Sequence, residues 1–452
     1  MMKRVIGVLL AASILAAASG CGSQGASSSA SSASAASEAS ASTSATSEKK
    51  LSGSLNIWAW GADEEAQARK DAILVFIKKH PEVKVTYTVI PTANQVWDQK
   101  ASAALAAGTA GDVMQMSPDY YSMNTKYYED LNPFVKQDGV NLKDVITPGL
   151  LDRYYDADGK LEGLPLHTNC FEMAYNKDMF DKAGVAYPKD GWKISELEDW
   201  GKKFVSGSGS TQTYGIAKHW VMDSAMVFAG GGTPYTDDLK TSNMGKDTIV
   251  KSLTLYQNLI KGKIMPSDTA QKTIPAETLF VSGKAAMYPM GGFESNQVIK
   301  DAEENGINLG FTSMPCDPNG KEINVQYATG WAMTKTCKNK DAAWAFMKES
   351  SYANEEMNTI NAKVGIPANK KIADTTYANM KTGDVGFDNS YYVKHISDAH
   401  MNPFGGTLAS TGNIWTNMVQ EVTLNGKDPA EIVKLNAPKI EKEFASYSFN
   451  KK

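Results

Sequence analysis

The chain has 452 residues, 42% of them hydrophobic, and a formal net charge of -4 at pH 7. Loss of a leader containing Lys3 and Arg4 takes the charge from -4 to -6, so no basic footprint points to nucleic acid. Four cysteines and five scattered histidines exclude a disulfide scaffold and match no zinc spacing, and no metal or cofactor is implied.

The N-terminus, "MMKRVIGVLLAASILAAASGCG", has a basic start, an apolar run from Val5 to about Ala18 and small residues before Cys21. That is the pattern of a secretory signal over residues 1–20. The run is too short, and too rich in small residues, for a comfortable membrane span. Ala18, Ser19 and Gly20 before Cys21 resemble the lipobox of bacterial lipoproteins, although Ala18 stands where leucine is usual. The resemblance implies cleavage before Cys21 and a lipid on it. Residues 21–50 are nearly all Ser and Ala, with nothing to bury, and are expected to form a disordered tether. A lipid followed by a polar stalk places the folded part outside the cytoplasm, anchored to the cell membrane.

From Leu51 about 400 residues remain, enough for one large or two ordinary domains. "GSLNIWAW" alternates as a strand, "DEEAQARKDAILVFIKKH" places Ile73, Leu74, Phe76 and Ile77 at helical spacing, and "EVKVTYTVI" returns to period two with Val83, Val85, Tyr87 and Val89 on one face. This is a βαβ unit. A helix over "ANQVWDQKASAALAAG" and a strand over "DVMQMS" follow, so this region reads as α/β with a largely parallel sheet. Further on, "ISELEDWGKKF" is a helix with Ser195 and Glu198 at capping-box spacing. "DTIVKSLTLYQNLIKG", "NKDAAWAFMKES" and "DPAEIVKLNAPKIEKEF" are helices, the last with Asp428 as cap and a kink at Pro438. Of the cysteines beyond Cys21, Cys316 and Cys337 flank one strand region and are the pair expected to join if any disulfide forms.

Catalytic signatures are missing from the sequence: it holds no GxSxG, HExxH or P-loop. "GGGTPY" lacks the Lys-Ser/Thr that would hold a phosphate, and "DADGKLEG" reads as a hairpin turn because Lys160 fills an acidic position of a calcium loop. Aromatic and polar residues instead gather at strand ends and in loops. Trp60 ends a strand ahead of Asp63, Asp119 and Tyr120 follow "VMQM", Trp220 follows "TYGIAKH", Phe293 follows "AAMYPMGG", and Trp415 follows "FGGTLASTGN". Sugars present apolar CH faces and hydroxyl edges, so a sugar site needs flat rings and nearby hydrogen-bonding side chains. Trp200 and Trp344, within amphipathic helices, belong to the core.

"GKLEGLPLHTNCFEMAYNKDMFDKAGVAYP" and "FVSGKAAMYPMGGFESN" together resemble segments of family 1 extracellular solute-binding proteins, with support from "AAGTAGDVMQMS", "GWAMTKTCKNKDAAWAFMKE" and "VGIPANK". The resemblance runs in order over about residues 54–445. It implies an α/β, two-lobed, type II periplasmic-binding-protein fold that is similar to maltose-binding protein, with a ligand cleft between lobes joined by hinge crossings. Residues 51–167 plus 328–363 would form the N-terminal lobe, and 168–327 plus 364–452 the C-terminal lobe. Crossings fall near Leu166 to Cys170, Val325 to Trp331 and Lys363 to Pro367. The family's sugar-stacking aromatic falls on Phe293, the tryptophan of its C-terminal loop on Trp415, its acid and following ring on Asp119 and Tyr120, and the acid past the first hinge on Asn169. A polar-aromatic pair falls on His219 and Trp220. Trp331, at a crossing, and Glu294, beside Phe293, complete the expected ligand-binding set with Trp60 and Asp63.

The function this implies is a solute-binding lipoprotein that captures a carbohydrate, expected to be an oligosaccharide, by hinge closure and hands it to the permease subunits of an ABC importer. It is expected to act as a monomer and without covalent chemistry. A non-sugar solute, a secreted carbohydrate-active enzyme with a facing acid pair and a lectin-like adhesin remain open at this stage.

Overall fold

The computed structural model describes residues 50–446, except 62, 92–95, 119–125, 157, 237–240, 272 and 405–407. The predicted signal, Cys21 and most of the predicted tether therefore lie outside the described residues. Among the described residues no helix is long and apolar enough to cross a membrane.

In chain order the strands of the two main sheets are β1 (Gly53–Trp60), β2 (Val83–Ile90), β3 (Val113–Met116), β4 (Leu164–Asn169), β5 (Phe171–Asn176), β6 (Met287–Gly291), β7 (Leu309–Ser313), β8 (Val325–Met333) and β9 (Ile366–Pro367). The first sheet runs β2-β1-β3-β8-β4-β9 and the second β6-β5-β7. β1 pairs in parallel with β2, from Gly53 opposite Val83 to Trp60 opposite Ile90. The connecting helix α1 (Asp63–Lys79) buries Ala68, Ala72, Ile73 and Phe76. This is the predicted βαβ unit, with two differences. Leu74 faces solvent, and Val89 is exposed because β2 is the edge strand and has a neighbour on one side only.

The sheet is less parallel than predicted. β3 pairs with β1 in parallel, but β8 returns antiparallel to β3, with Val113 opposite Met333, and β4 and β9 are antiparallel to their neighbours. All three strands of the second sheet are antiparallel. Each sheet has its own core: Ile57, Phe76, Trp97 and Trp331 belong to one, and Phe171, Met173, Leu253 and Trp415 to another.

Only Cys170 separates β4 from β5, so the chain passes from one sheet to the other within a residue. β8 makes a second passage, pairing through Val325 and Gln326 with the short strand His400–Met401 and further on with β4 and β3. Asn324 fastens the two passages, because its Oδ1 accepts from the Phe171 N–H at 3.1 Å and its Nδ2 donates to the Phe171 carbonyl at 2.8 Å.

Two local expectations change. Cys170, Cys316 and Cys337 are all free and buried. Cys337 packs in the first-sheet core while Cys316 bridges to Glu322 and Lys193, so the expected Cys316–Cys337 disulfide does not form. Ser195 is already helical at φ -64° and makes no side-chain cap; Glu196, not Glu198, reaches back, accepting from the Lys193 N–H. Helix Pro429–Ser446 carries Pro438 in its interior, the position of the expected kink. Its start is as predicted, with the Asp428 carboxylate accepting from the Glu431 N–H at 3.0 Å.

Candidate functional site

Where the chain leaves the first sheet, rings converge. Phe171, the first residue of β5, is fully buried and offers its ring to four others. It meets His219 at 5.2 Å, Trp220 at 5.6 Å, Phe293 at 6.1 Å and Tyr327 of β8 at 6.2 Å between centroids, the last three edge to face. Trp220 lies nearly parallel to Phe293, at 27° and 6.3 Å, and is met edge-on by Tyr327 at 4.9 Å. With 47% of its surface exposed, Trp220 presents a broad ring to solvent from within an aromatic cluster. Core packing does not explain an exposed indole supported from behind by three rings.

Glu294 holds this arrangement. Its carboxylate accepts from the Gly291 N–H and the Tyr288 hydroxyl, each at 3.0 Å, and faces His219 Nε2 at 3.3 Å. The Val221 N–H donates to His219 Nδ1 at 3.2 Å, so Nδ1 is the acceptor and Nε2 carries the proton toward Glu294. Burial first, and Glu294 second, hold the Tyr288 hydroxyl well above its usual pKa, which keeps it a donor. The carboxylate thus ties the end of β6 to the loop that carries Trp220, and the expected ligand group at Glu294 is occupied by protein donors.

Gly291 and Gly292 serve close approach. The Phe293 ring folds back over Gly291, and a side chain on Gly292 would meet Asn169 Oδ1 at 2.8 Å and the Tyr377 hydroxyl at 3.1 Å. The turn therefore needs glycine because the backbone packs against the end of β4.

On the first-sheet side, Asn169 ends β4. Its Nδ2 donates to the Val364 carbonyl at 3.2 Å and contacts His167 Nδ1 at 3.3 Å, while its Oδ1 is buried without a protein donor. Burial, then the Arg69 charge, push His167 down to about 3, so its imidazole is neutral. Nδ1 accepts from Asn169 and Nε2–H faces Thr329 Oγ1 at 3.2 Å. Trp60 is buried edge-on to Trp97 at 5.1 Å, and its backbone N–H donates to Gln115 Oε1. Asp63 opens α1, with only its backbone described.

The structure brings together His219, Trp220, Phe293 and Glu294, with Asn169 alongside Gly292. It places two expected ring residues elsewhere. Trp415 lies inside helix Ala409–Thr423, 1% exposed, its N–H donating to the Asp223 carbonyl at 2.6 Å and its face stacked on Phe404. Trp331 is also 1% exposed, in the first-sheet core, with its N–H bonded to Ser350 Oγ. Neither presents a face, because helix and sheet neighbours cover both sides. Asp119 and Tyr120 lie outside the described residues.

Sequence reading missed Phe171 and Tyr327, which the two passages bring together, and Arg69. Arg69 is 1% exposed in α1, paired with Glu65 at 3.3 Å, yet its Nε and Nη1 have no partner. A charged residue within the apolar stripe of Ala68, Ala72 and Phe76 was the signal available.

Comparison with known proteins gives a family match, two sequence relatives and two solved structures. The sequence profile of the family described as bacterial extracellular solute-binding protein matches residues 61–349. A putative binding protein of Brucella abortus is 24% identical over 377 residues, covering 81% of this chain and 87% of the relative. The maltodextrin-binding protein of Bacillus subtilis is 24% identical over 271 residues, covering 57% of this chain and 60% of the relative. Among solved structures, an ABC substrate-binding protein of Listeria monocytogenes in complex with cycloalternan superposes with a TM-score of 0.75 at 20% identity, covering 86% of this chain and 98% of that one. The acarbose-binding GacH receptor of Streptomyces glaucescens follows at 0.73 and 20%, covering 88% of this chain and 100% of that one.

Proposed function

The chain belongs to the bacterial extracellular solute-binding protein family, and from that premise we propose that it captures a carbohydrate, an oligosaccharide above all, for an ABC importer. Its fold is the two-lobed, type II binding-protein architecture. The observation that carries the ligand class is Trp220, a half-exposed indole backed by Phe293, Phe171 and Tyr327 where the chain passes between sheets. Such a face suits the CH surface of a pyranose, and Asn169 Oδ1, lacking a donor, suits a sugar hydroxyl. Relatives named for maltodextrin, cycloalternan and acarbose point the same way.

The mechanism is closure. One lobe, 51–167 plus 328–363, and the other, 168–327 plus 364–452, turn about the passages near 166–170, 325–331 and 363–367, and ligand bound between them favours the closed state through contacts the open state lacks. Trp220 and Phe293 stack, Asn169, Asp63 and Asp119 take hydroxyls, Trp60 and Tyr120 are the further ligand residues expected from the sequence, and Glu294 with His219 positions the rings. Thermal-shift screening against mono- and oligosaccharides identifies the ligand. Calorimetry is then expected to show Trp220→Ala and Phe293→Ala each weakening it tenfold or more, about 1.4 kcal/mol. Unchanged affinity in both variants would rule the site out.

A phosphorylated polyol is the second reading. It is favoured by the two unpartnered Arg69 N–H groups and by relatives from Brucella named for sn-glycerol-3-phosphate, and glycerol 3-phosphate belongs in the same screen. Small residues before Cys21 support a lipid anchor there. Mass spectrometry of the mature N-terminus tests it, and an unmodified Cys21 would count against it.

A further inference from the structure

The second-sheet half carries a cavity of about 540 Å³ that shares no lining residue with the aromatic cluster. It opens beside the C-terminal end of helix Asp247–Lys261 and has the size of a small-molecule site, which runs about 300–1,000 Å³. Its charged lining is Lys261, Lys263 and Lys284, its hydroxyls include Ser210, Ser267 and Thr273, and no described residue lining it is a carboxylate. Asp268, close in sequence, pairs with Lys218 instead, and Lys261 Nζ meets the neutral Gln257 Oε1 at 2.8 Å. On a chain of net charge -4, a concave wall lined by three lysines, with no carboxylate among its described lining residues, is a local focus for anions.

Backbone geometry singles out the same wall. Lys263 has φ 54°, and among the described residues it is the one non-glycine with positive φ. It closes the helix in a Schellman turn, with the Ile264 N–H bonded to the Leu259 carbonyl at 2.9 Å and the Lys263 N–H to the Ile260 carbonyl at 3.0 Å. Glycine is the usual residue at that left-handed position, yet Gly262 just before it sits at φ -75°. Attraction to the helix C-terminus favours a lysine anywhere in this turn; it does not account for a lysine taking the one left-handed residue. Strain retained at the wall of a cavity motivates a functional reading of that position.

We propose that this groove binds a small phosphate-bearing polyanion, separately from the sugar site, with Lys263 and Lys284 as its principal contacts. The test is calorimetry of the full chain with inorganic pyrophosphate. Binding that weakens as salt rises is expected, with Lys263→Gly and Lys284→Gln each reducing affinity at least fivefold and Trp220→Ala leaving it unchanged. Lys263→Gly is also expected to raise the melting temperature, since glycine relieves the left-handed strain, so lost binding cannot be blamed on misfolding. Absence of pyrophosphate binding overturns the proposal, as does affinity unaltered in both lysine variants. Sedimentation with phosphatidylglycerol vesicles separates a lipid source: capture by vesicles without pyrophosphate binding also overturns it.

Discussion

At the scale of single residues, exposure separates rings that sequence treats alike. Trp220 and Trp415 both follow loop-like stretches, but one is 47% and the other 1% exposed. The sequence "FGGTLASTGN" reads as a loop, and its second half continues into a helix whose inner face holds Trp415. Periodicity over so short a run does not say which way that residue turns. The two tryptophans should therefore fail differently. Trp220→Ala acts on affinity, with the melting temperature of the free protein nearly unchanged. Trp415→Ala leaves a cavity in the second-sheet core and is expected to cost about 3–5 kcal/mol of stability by chemical denaturation; a loss under 1 kcal/mol would contradict its burial. Glu294 shows the complementary case. An acid beside a candidate ring invites a ligand role, and the partners that claim it, Tyr288 and His219, converge on it only in the folded chain.

At the scale of elements, β1, α1 and β2 were legible because a period of two gives way to a period near 3.6 and back within one short stretch. The antiparallel part of the first sheet was not, since it joins Val113 to Met333 across the whole second-sheet half. β5 carries a second feature hidden from sequence. Glu172 is fully buried in it, with neither carboxyl oxygen bonded, and burial, then Glu322 and Asp190, push its pKa well above the usual value, opposed by Lys394. His395 lies between the two glutamates, 2.6 Å from Glu322 and 3.9 Å from Glu172. The unfolded chain releases the Glu172 proton near pH 4.3 while the folded chain keeps it, so this residue subtracts stability as pH rises above that value. Glu172→Gln is expected to raise the melting temperature at pH 7 and to change it little at pH 4. A lower melting temperature at pH 7 would show that Glu172 is ionised and paired.

At the scale of the molecule, two sheets with separate cores meet where β4 gives way to β5 at Cys170 and along β8, and Asn324 fastens one passage to the other. Movement about such narrow connections leaves both cores intact, and closure then demands little repacking. Small-angle scattering should show a smaller radius of gyration with saturating ligand. Ligand at a hundred times its dissociation constant should add about 2.7 kcal/mol to stability. A radius unchanged on saturation would exclude closure in solution. The resemblance of five ordered motifs carried the fold class at this scale, whereas the ligand's place depends on side chains that meet only after both passages form.

The exposure of Trp220 has a practical side. Trp60, Trp97, Trp192, Trp331, Trp344 and Trp415 are buried, and Trp58 and Trp200 are partly covered. Trp220 is thus the indole whose surroundings change most when water over it is replaced. The protein contains its own optical reporter: a blue shift of intrinsic emission on titration would follow occupancy without any label, and the Trp220→Phe variant would keep a stacking ring while silencing the signal.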